Sequence, residues 1–284
     1  MVHLVSSQCP RLRNLYLSVS LADVSDVSIR SDSIQSLELC VKYARKFEAM
    51  APELEVLSMS DATEARIYAP KFEEVTWDGD IAYDPRRHCF VDAGRHLRLL
   101  DLGTNGAAVA SLMQRFDKAN ALKLNVDLNN TGSLGHTSFL NETVRLPKCE
   151  TLRLRVSLGD YYHNLAPIIL HLLRSCNSIR KISVNVDSGL PMRRYSCQAS
   201  CHCRLPASRK ADGIILDALE EVKITLIRSS CEEVEFVEQL AKCHAPSLKK
   251  LAINCEWSDS PTKEIQEKVC RMFNPDVDVK FNVS

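Results

Sequence analysis

Apolar residues recur along the chain in a spacing of three and then two positions, which is clearest at Leu248-x-x-Leu251-x-Ile253. Leu251 and Ile253 alternate with Ala252, so both point to one face of a short strand. Leu248 lies one turn upstream and packs over the same core. A segment this short cannot bury its own apolar face, so it needs neighbours stacked on both sides. Segments with the same spacing begin at Leu12, Ile34, Leu54, Phe72, Leu97, Ala119, Cys149, Ile179 and Leu219.

The distance between successive segments changes along the chain. The first four begin 22, 20 and 18 residues apart, which leaves room for a strand and a return loop but not for a full helix. Those from Ala119 to Leu248 begin 30, 30, 40 and 29 residues apart, which admits one helix in each repeat. We therefore predict an α/β leucine-rich-repeat solenoid: a curved parallel sheet with a thin, strand-rich N-terminal half and a βα C-terminal half.

Four segments between the strands have the pattern of helices. In two of them the apolar residues share one helical face: Val109, Leu112, Met113 and Phe116, then Leu165, Ile169, Leu172 and Leu173. Ser230 and Glu233 form a capping box for a third helix through Ala241. The pair Ser260-Pro261 is expected to begin the fourth helix. The alternating residues Val277, Val279 and Phe281 predict a last strand.

The longest interval contains one irregular segment, residues 188–213, which we interpret as an exposed loop. Its residues Cys197, Cys201, His202 and Cys203 could supply four zinc ligands. Zinc sites of this kind use two separated Cys knuckles, however, and the adjacent His202 and Cys203 would strain to share one ion. We therefore expect free thiols in the loop and no metal site.

The chain contains 12 cysteines, and their positions bear on the compartment. Cys9, Cys149, Cys176 and Cys243 come just before strands, where the repeat takes a small apolar residue, so we expect them to be reduced and buried. Residues 1–7 have neither the basic region nor the long apolar core of a signal peptide. These features predict an intracellular protein of the cytoplasm or nucleus.

The charge balance excludes some functions. The 284 residues include 36 basic and 36 acidic ones, so overall charge favours neither nucleic-acid nor membrane binding. No apolar run approaches the roughly 20 residues of a membrane-spanning helix. The Gly-x-Ser-x-Gly, His-Glu-x-x-His, Gly-x-Gly-x-x-Gly and P-loop motifs are all missing from the sequence, so we predict neither an enzyme nor a cofactor.

Cys-Pro or Ala-Pro pairs precede several repeats, and segments 219–224, 233–237 and 245–251 follow one another near the C-terminus. This combination resembles the repeat region and the C-terminal FBD region of plant F-box/LRR proteins. The run Cys201-His202-Cys203 is similar to a Cys-rich loop of the grass members. The resemblance implies a repeat domain over residues 1–213, with its irregular loop at 188–213, and an FBD-like continuation of the solenoid over residues 214–284.

Proteins of this family are substrate receptors of SCF-type ubiquitin ligases, in which the F-box binds a Skp-type adaptor and the repeats bind the target. In this chain the first repeat begins by residue 9, so adaptor binding is expected only if an F-box lies upstream of Met1. The resemblance implies the substrate-binding part of such a receptor, with an unknown target protein. The alternative is a stand-alone LRR interaction protein without a role in ubiquitin transfer.

Strand residues between the core positions are expected to point to the concave face of the solenoid and to form its binding surface. The candidates are Tyr16, Glu38, Thr76, Asp78, Asp101, Lys123, Arg153, Arg155, Lys181 and Lys223. The row is more acidic before Asp101 and more basic after it. Such a charge-polarised groove would orient a partner. The alternative is a solvated face with scattered charges.

Overall fold

The structure is a computed structural model, and it describes the following residues: 2–4, 9–60, 62–78, 83–103, 108–127, 146–157, 161–162, 166–176, 178–187, 195–196, 211, 213–226, 231–255 and 262–283. The chain is α/β and is built largely of parallel strands. It divides into two compact units, Met1–Leu122 (unit 1) and Lys123–Ser284 (unit 2). The predicted boundary after residue 213 stays a prediction.

Unit 1 is rich in strands. Its elements are β1 (Val2–Leu4), β2 (Asn14–Arg30), β3 (Ser36–Met50), β4 (Val56–Ser60), β5 (Glu64–Tyr68), β6 (Glu74–Trp77), β7 (His88–Val91), β8 (His96–Gly103) and α1 (Ala108–Arg115). The boundary between the units falls within β9 (Lys118–Asp127).

A front ladder of parallel strands carries the repeated apolar segments of unit 1. It joins residues 14–20 of β2 to residues 36–42 of β3, and continues through β4, β6 and β8. One buried row crosses β3, β4, β6 and β8 in register: Leu37, Leu57, Val75 and Leu100. The alternation of apolar and polar positions therefore places every second side chain of these strands in the core.

A back ladder lies on the return path of the same repeats. It joins residues 25–30 of β2 to residues 44–50 of β3, then β5 and β7, and β1 pairs with β2 at its outer edge. Its buried row is Ile29, Ala49, Ile67 and Phe90. The rings of Trp77 in the front ladder and Phe90 in the back ladder lie 6.4 Å apart, so both ladders share one core.

The thin N-terminal half that the short repeat intervals predict is therefore present, and its return segments form strands. A helix needs only 1.5 Å of rise per residue and so consumes more residues than an extended segment over the same distance. With about 20 residues in each repeat, an extended return is the form that fits. Around Ser25 the register of β2 against β3 shifts, where both strands pass from one ladder to the other.

Unit 2 alternates strands with helices. Its strands are β10 (Thr151–Ser157), β11 (Tyr161–Tyr162), β12 (Lys181–Asp187), β13 (Tyr195–Ser196), β14 (Glu221–Leu226), β15 (Lys250–Cys255) and β16 (Asp278–Val283). Its helices are α2 (Ala166–Arg174), α3 (Cys231–Ala241) and α4 (Lys263–Met272). Strands β10, β12, β14, β15 and β16 pair in that order, all parallel. One buried row crosses the first four of them: Leu152, Ile182, Val222 and Leu251.

The helices confirm most of the predicted periodicity. The apolar face predicted for α1 is buried throughout, as are Ile169, Leu172 and Leu173 of α2. Helix α3 ends at Ala241 as predicted, whereas Leu165 and the capping residue Ser230 lie outside the described residues.

The predicted start of the last helix, α4, is wrong. This helix begins at Lys263 and its N-cap is Thr262, whose hydroxyl oxygen accepts a hydrogen bond from the amide of Ile265 at 3.4 Å. A threonine in this position satisfies an amide that the first turn leaves without a helical partner. The N-cap is therefore Thr262 and not Ser260, which lies with Pro261 outside the described residues.

The cysteine prediction holds for three of its four residues. Cys149, Cys176 and Cys243 are buried and form no disulfide, but Cys9 is exposed and the expectation of a buried side chain there is wrong. Among the described residues, the only strand at that side of β2 pairs along residues 27–29. No described strand pairs with residues 14–20 of β2 on that side, and Leu15 and Leu17 are only half-buried.

The segment 188–213 is described only in part. Tyr195–Ser196 pairs in parallel with Tyr161–Tyr162, which makes a small second sheet that the interpretation as a loop does not include. Ala211 is fully buried, so this end of the segment belongs to the core. The zinc alternative concerns Cys197, Cys201, His202 and Cys203, and these lie outside the described residues.

Candidate interaction surface

The predicted surface residues of unit 1 lie side by side on the front ladder. Strand pairing puts Tyr16 beside Glu38. The same in-register row continues through Ser58 and Thr76 to Asp101. Tyr16 is 65% exposed and Glu38 is exposed, whereas Asp101 retains only 8% of its surface. The row therefore offers an aromatic ring and a carboxylate at the β2–β3 end and becomes enclosed towards β8.

Asp78 follows β6 directly and lies next to the last residue of β8, because Trp77 is in register with Leu102. Its carboxylate occupies the space that a Cβ atom would take at Gly103. Asp78 is exposed, and its backbone amide donates to the carbonyl of Met59 at 3.1 Å. Because Gly103 has no side chain, the Asp78 carboxylate can lie against the backbone at the end of the front ladder.

A row of cations crosses the strands of unit 2. Arg153, Ser183, Lys223, Ala252 and Lys280 are in register from β10 to β16. Arg153 and Lys223 are exposed, and neither makes an ion pair with another described residue. Lys280 pairs with Asp278 at 2.8 Å. Arg153 and Lys223 are therefore the cations of this row that remain available to an external anion.

Two residues further along each strand, a polar row runs parallel to the cationic one. Its members are Arg155, Asn185, Thr225, Asn254 and Asn282. The amide nitrogen of Asn282 donates to the side-chain oxygen of Asn254 at 2.8 Å, and the amide nitrogen of Asn254 donates to the hydroxyl of Thr225 at 3.4 Å. Of this row, the sequence pattern predicts only Arg155. The recurrence of Asn or Thr two positions after the central residue of each strand is the signal that indicates the other four.

Arg155 and Lys181 differ from the other predicted cations because both already have partners. Arg155 donates to Asp187 at 3.1 Å, and the Lys181 amine lies 3.5 Å from the Glu221 carboxylate. Exposed ion pairs of this kind are weak and salt-sensitive, so they contribute little to the stability of the fold. Their charges are also partly neutralised for any incoming partner.

Just before these strands, the charges alternate from repeat to repeat. Arg180 donates to Glu220 at 2.9 Å, and this hydrogen bond is the main reason why the pKa of the Glu220 carboxyl lies below its usual value. Glu150 and Lys249 act on the same pair from the neighbouring repeats. Each charge is therefore flanked by the opposite sign, which makes this row complementary to itself and leaves little charge for a ligand.

Lys123 is the remaining predicted surface residue. It lies in the middle of β9, at the first position of unit 2, and its side chain is partly buried. The structure thus brings together Tyr16, Glu38, Thr76, Asp78 and Asp101 on the front ladder of unit 1, and Arg153, Arg155, Lys181 and Lys223 on the sheet of unit 2. The charged members of the unit 1 set are acidic, and those of the unit 2 set are basic.

The described residues contain no group of three or more His, Cys, Asp or Glu side chains placed to hold a metal ion. Within the same residues, no helix has the length and apolar character needed to cross a membrane. Comparison with models of protein families, with curated proteins and with solved structures found no match.

Proposed function

We propose that this chain is a protein-recognition module of leucine-rich-repeat type, corresponding to the substrate-binding LRR/FBD part of an F-box receptor of an SCF-type ubiquitin ligase. The observation that carries the proposal is the in-register cationic row of unit 2, with Arg153 and Lys223 exposed and without an ion pair among the described residues. Binding is its whole mechanism: the module holds a target protein, and any chemistry takes place elsewhere.

The physical basis is the rigidity of adjacent parallel strands. Neighbouring strands lie about 4.8 Å apart. Residues that are in register across the strands therefore present their side chains at that fixed interval. Because the strand backbone is already ordered, binding costs conformational entropy only in the side chains themselves. The polar row from Arg155 to Asn282 offers amide and hydroxyl groups directly beside the cations. A target segment with carboxylates next to backbone or side-chain amides complements this arrangement.

Affinity capture with a charge-reversed variant tests the proposal. The wild-type chain and the double variant Arg153→Glu/Lys223→Glu are used as baits in one cell extract, and the captured proteins are quantified by mass spectrometry. The matched control is Lys148→Glu/Lys263→Glu, which reverses two exposed lysines that are not on the strand rows. We expect specific partners to be lost with the first variant and retained with the control. An identical set of partners for all three baits would refute a binding role for this row.

A second measurement separates the two forms of the proposal. The endogenous protein is purified from its own cells, its intact mass is determined, and its co-purifying subunits are identified. An N-terminal extension containing an F-box, together with a Skp-type adaptor and a cullin, supports a ligase receptor. A mass of 31.9 kDa without these subunits supports a stand-alone interaction protein that takes no part in ubiquitin transfer.

A further inference from the structure

The outward face of the back ladder in unit 1 contains a pocket that the proposed binding rows do not use. Two rows of side chains enclose it: Ser28, Glu48 and Arg66 form one, and Arg30, Met50 and Tyr68 form the other. The pocket has a volume of about 210 Å³ and is open to solvent on one side. Ile29 and Ala49, which lie between these rows on β2 and β3, also line it.

The charges around the pocket leave two guanidinium groups available. The only carboxylate in its wall, that of Glu48, pairs with the amine of Lys46 at 2.7 Å. This contact is the main reason that the pKa of Glu48 is lowered, and Arg66 and Arg30 lower it further. Arg30 and Arg66 are exposed, and neither makes an ion pair with any residue that the structure describes. The Glu48 carboxylate thus already has an ion-pair partner, whereas neither arginine has one among the described residues.

The size of the pocket limits its occupant. Pockets that enclose drug-sized ligands or cofactors measure about 300–1,000 Å³, so a volume of 210 Å³ is too small for them. It suits a single large side chain. Its walls offer apolar surface for one: Met50 is 51% exposed, Tyr68 is half-buried, and the arginine side chains have aliphatic stems. Protein interfaces commonly use an aromatic anchor in such a pocket, surrounded by a charged rim.

We propose that this pocket docks an acidic peptide segment of a partner protein, which inserts one aromatic side chain between Met50 and Tyr68 and pairs its flanking carboxylates with Arg30 and Arg66. Charge complementarity selects this occupant, because the two arginines repel a basic segment and attract an acidic one. Glu64, one row away, acts electrostatically on Arg45 and Lys46. The site is independent of the cationic row proposed for unit 2.

The test uses three short labelled peptides and the full chain. The probe is acetyl-Glu-Glu-Phe-Glu-Glu-amide; the comparison peptides replace Phe with Gly, or all four Glu with Lys. Fluorescence anisotropy measures their binding to the wild type, to Arg30→Gln/Arg66→Gln, and to the control Lys148→Gln/Lys263→Gln, which removes two exposed lysines outside both proposed sites. We expect the acidic Phe peptide to bind the wild type and the control, and to bind the arginine variant at least about tenfold more weakly. Both comparison peptides are expected to bind more weakly than the probe.

Amide chemical shifts of the wild-type protein provide the second readout. The acidic Phe peptide is expected to move resonances of the pocket residues Ser28, Met50 and Tyr68. No binding of the acidic peptide, equal binding by the arginine variant, or shifts confined to unit 2 would each overturn the pocket assignment. A result of that kind says nothing against the cationic row, whose own test uses different residues.

Discussion

The imidazole of His88 lies against the indole of Trp77, with their ring centroids 4.9 Å apart and their planes at 68°. His88 is 1% exposed. The amide of Asp84 donates to its Nδ1 atom at 2.8 Å, so Nδ1 carries no proton. The proton is therefore on Nε2, which donates to the carbonyl of Ala62 at 3.0 Å. Tyr83 stacks on the imidazole with centroids 5.4 Å apart, and its ring also lies 5.4 Å from that of Trp77. The core of unit 1 thus holds a neutral histidine.

This arrangement predicts a loss of stability at acidic pH. Burial lowers the pKa of His88 below its ordinary value of 6.5, so the unfolded chain takes up a proton at a pH where the folded chain does not. The histidine's contribution is therefore complete above pH 6.5 and is lost as the pH falls through its folded pKa. In this window we expect urea denaturation to show the free energy of unfolding falling by at most about 1.4 kcal/mol per pH unit.

The variant His88→Phe separates this effect from general acid denaturation. It removes the titrating group but leaves the amide of Asp84 and the carbonyl of Ala62 without their partner, so it should be less stable at pH 7.5 by about 1–3 kcal/mol. Its stability should then change less than that of the wild type between pH 7.5 and 5.5. The matched control is His96→Gln at an exposed histidine, which is expected to unfold at the wild-type urea concentration at pH 7.5. Parallel pH profiles for wild type and His88→Phe would contradict the prediction.

Two adjacent residues of β10 test the alternation of core and surface. Leu152 is fully buried in register with Ile182, whereas Arg153 is exposed. We expect Leu152→Asp to cost more than about 3 kcal/mol, because it buries an unpaired charge and removes core packing. Thermal denaturation should show a large loss for this variant and almost none for the control Arg153→Asp. A soluble Leu152→Asp protein with an unchanged melting temperature would break the repeat assignment.

Gly103 and Asp78 are expected to be energetically coupled. A methyl group at Gly103 would overlap the Asp78 carboxylate, so Gly103→Ala should destabilise the protein by displacing that side chain. In an Asp78→Ala background the space is free, and the same change should become neutral or stabilising by about 0.4–1 kcal/mol, because alanine restricts the unfolded chain. A double-mutant cycle measured by urea denaturation gives the coupling. Additive effects of the two substitutions would show that the carboxylate does not occupy this space in solution.

Thiol reactivity is expected to follow burial. Cys149, Cys176 and Cys243 are buried. The hydrogen bond that the Cys176 thiol makes with Cys149, together with burial, raises the pKa of Cys176, and burial raises the pKa of Cys243 to about 11. Because the thiolate is the reactive form, these three should resist a maleimide reagent in the native protein. The exposed Cys9, Cys89 and Cys270 should react first, as judged by peptide mass spectrometry. Rapid labelling of Cys176 before unfolding would contradict the buried assignment.

The sequence by itself determined which residues enter the core. Most apolar residues at the repeated spacing are buried in both units, because period-two alternation is a local property that a strand imposes on its own side chains. The exceptions, which are only half-buried, are Leu12, Leu15, Leu17 and Leu248. The intervals between repeats likewise determined where helices fit, since chain length limits what each return segment can form. The surface residues Tyr16, Arg153 and Lys223 could be named for the same reason, because they alternate with the core positions.

Only the tertiary structure decided how residues from separate repeats meet. The burial of Asp101, the ion pairs of Arg155 and Lys181, and the place of Asp78 over Gly103 depend on which strands become neighbours. The pocket between Arg30 and Arg66 depends on the pairing of return strands that lack the repeated Leu-x-x-Leu-x-Leu spacing. Contacts of this kind join residues that are some 20 to 40 positions apart. Their geometry comes from register and packing, and no local pattern in the chain encodes it.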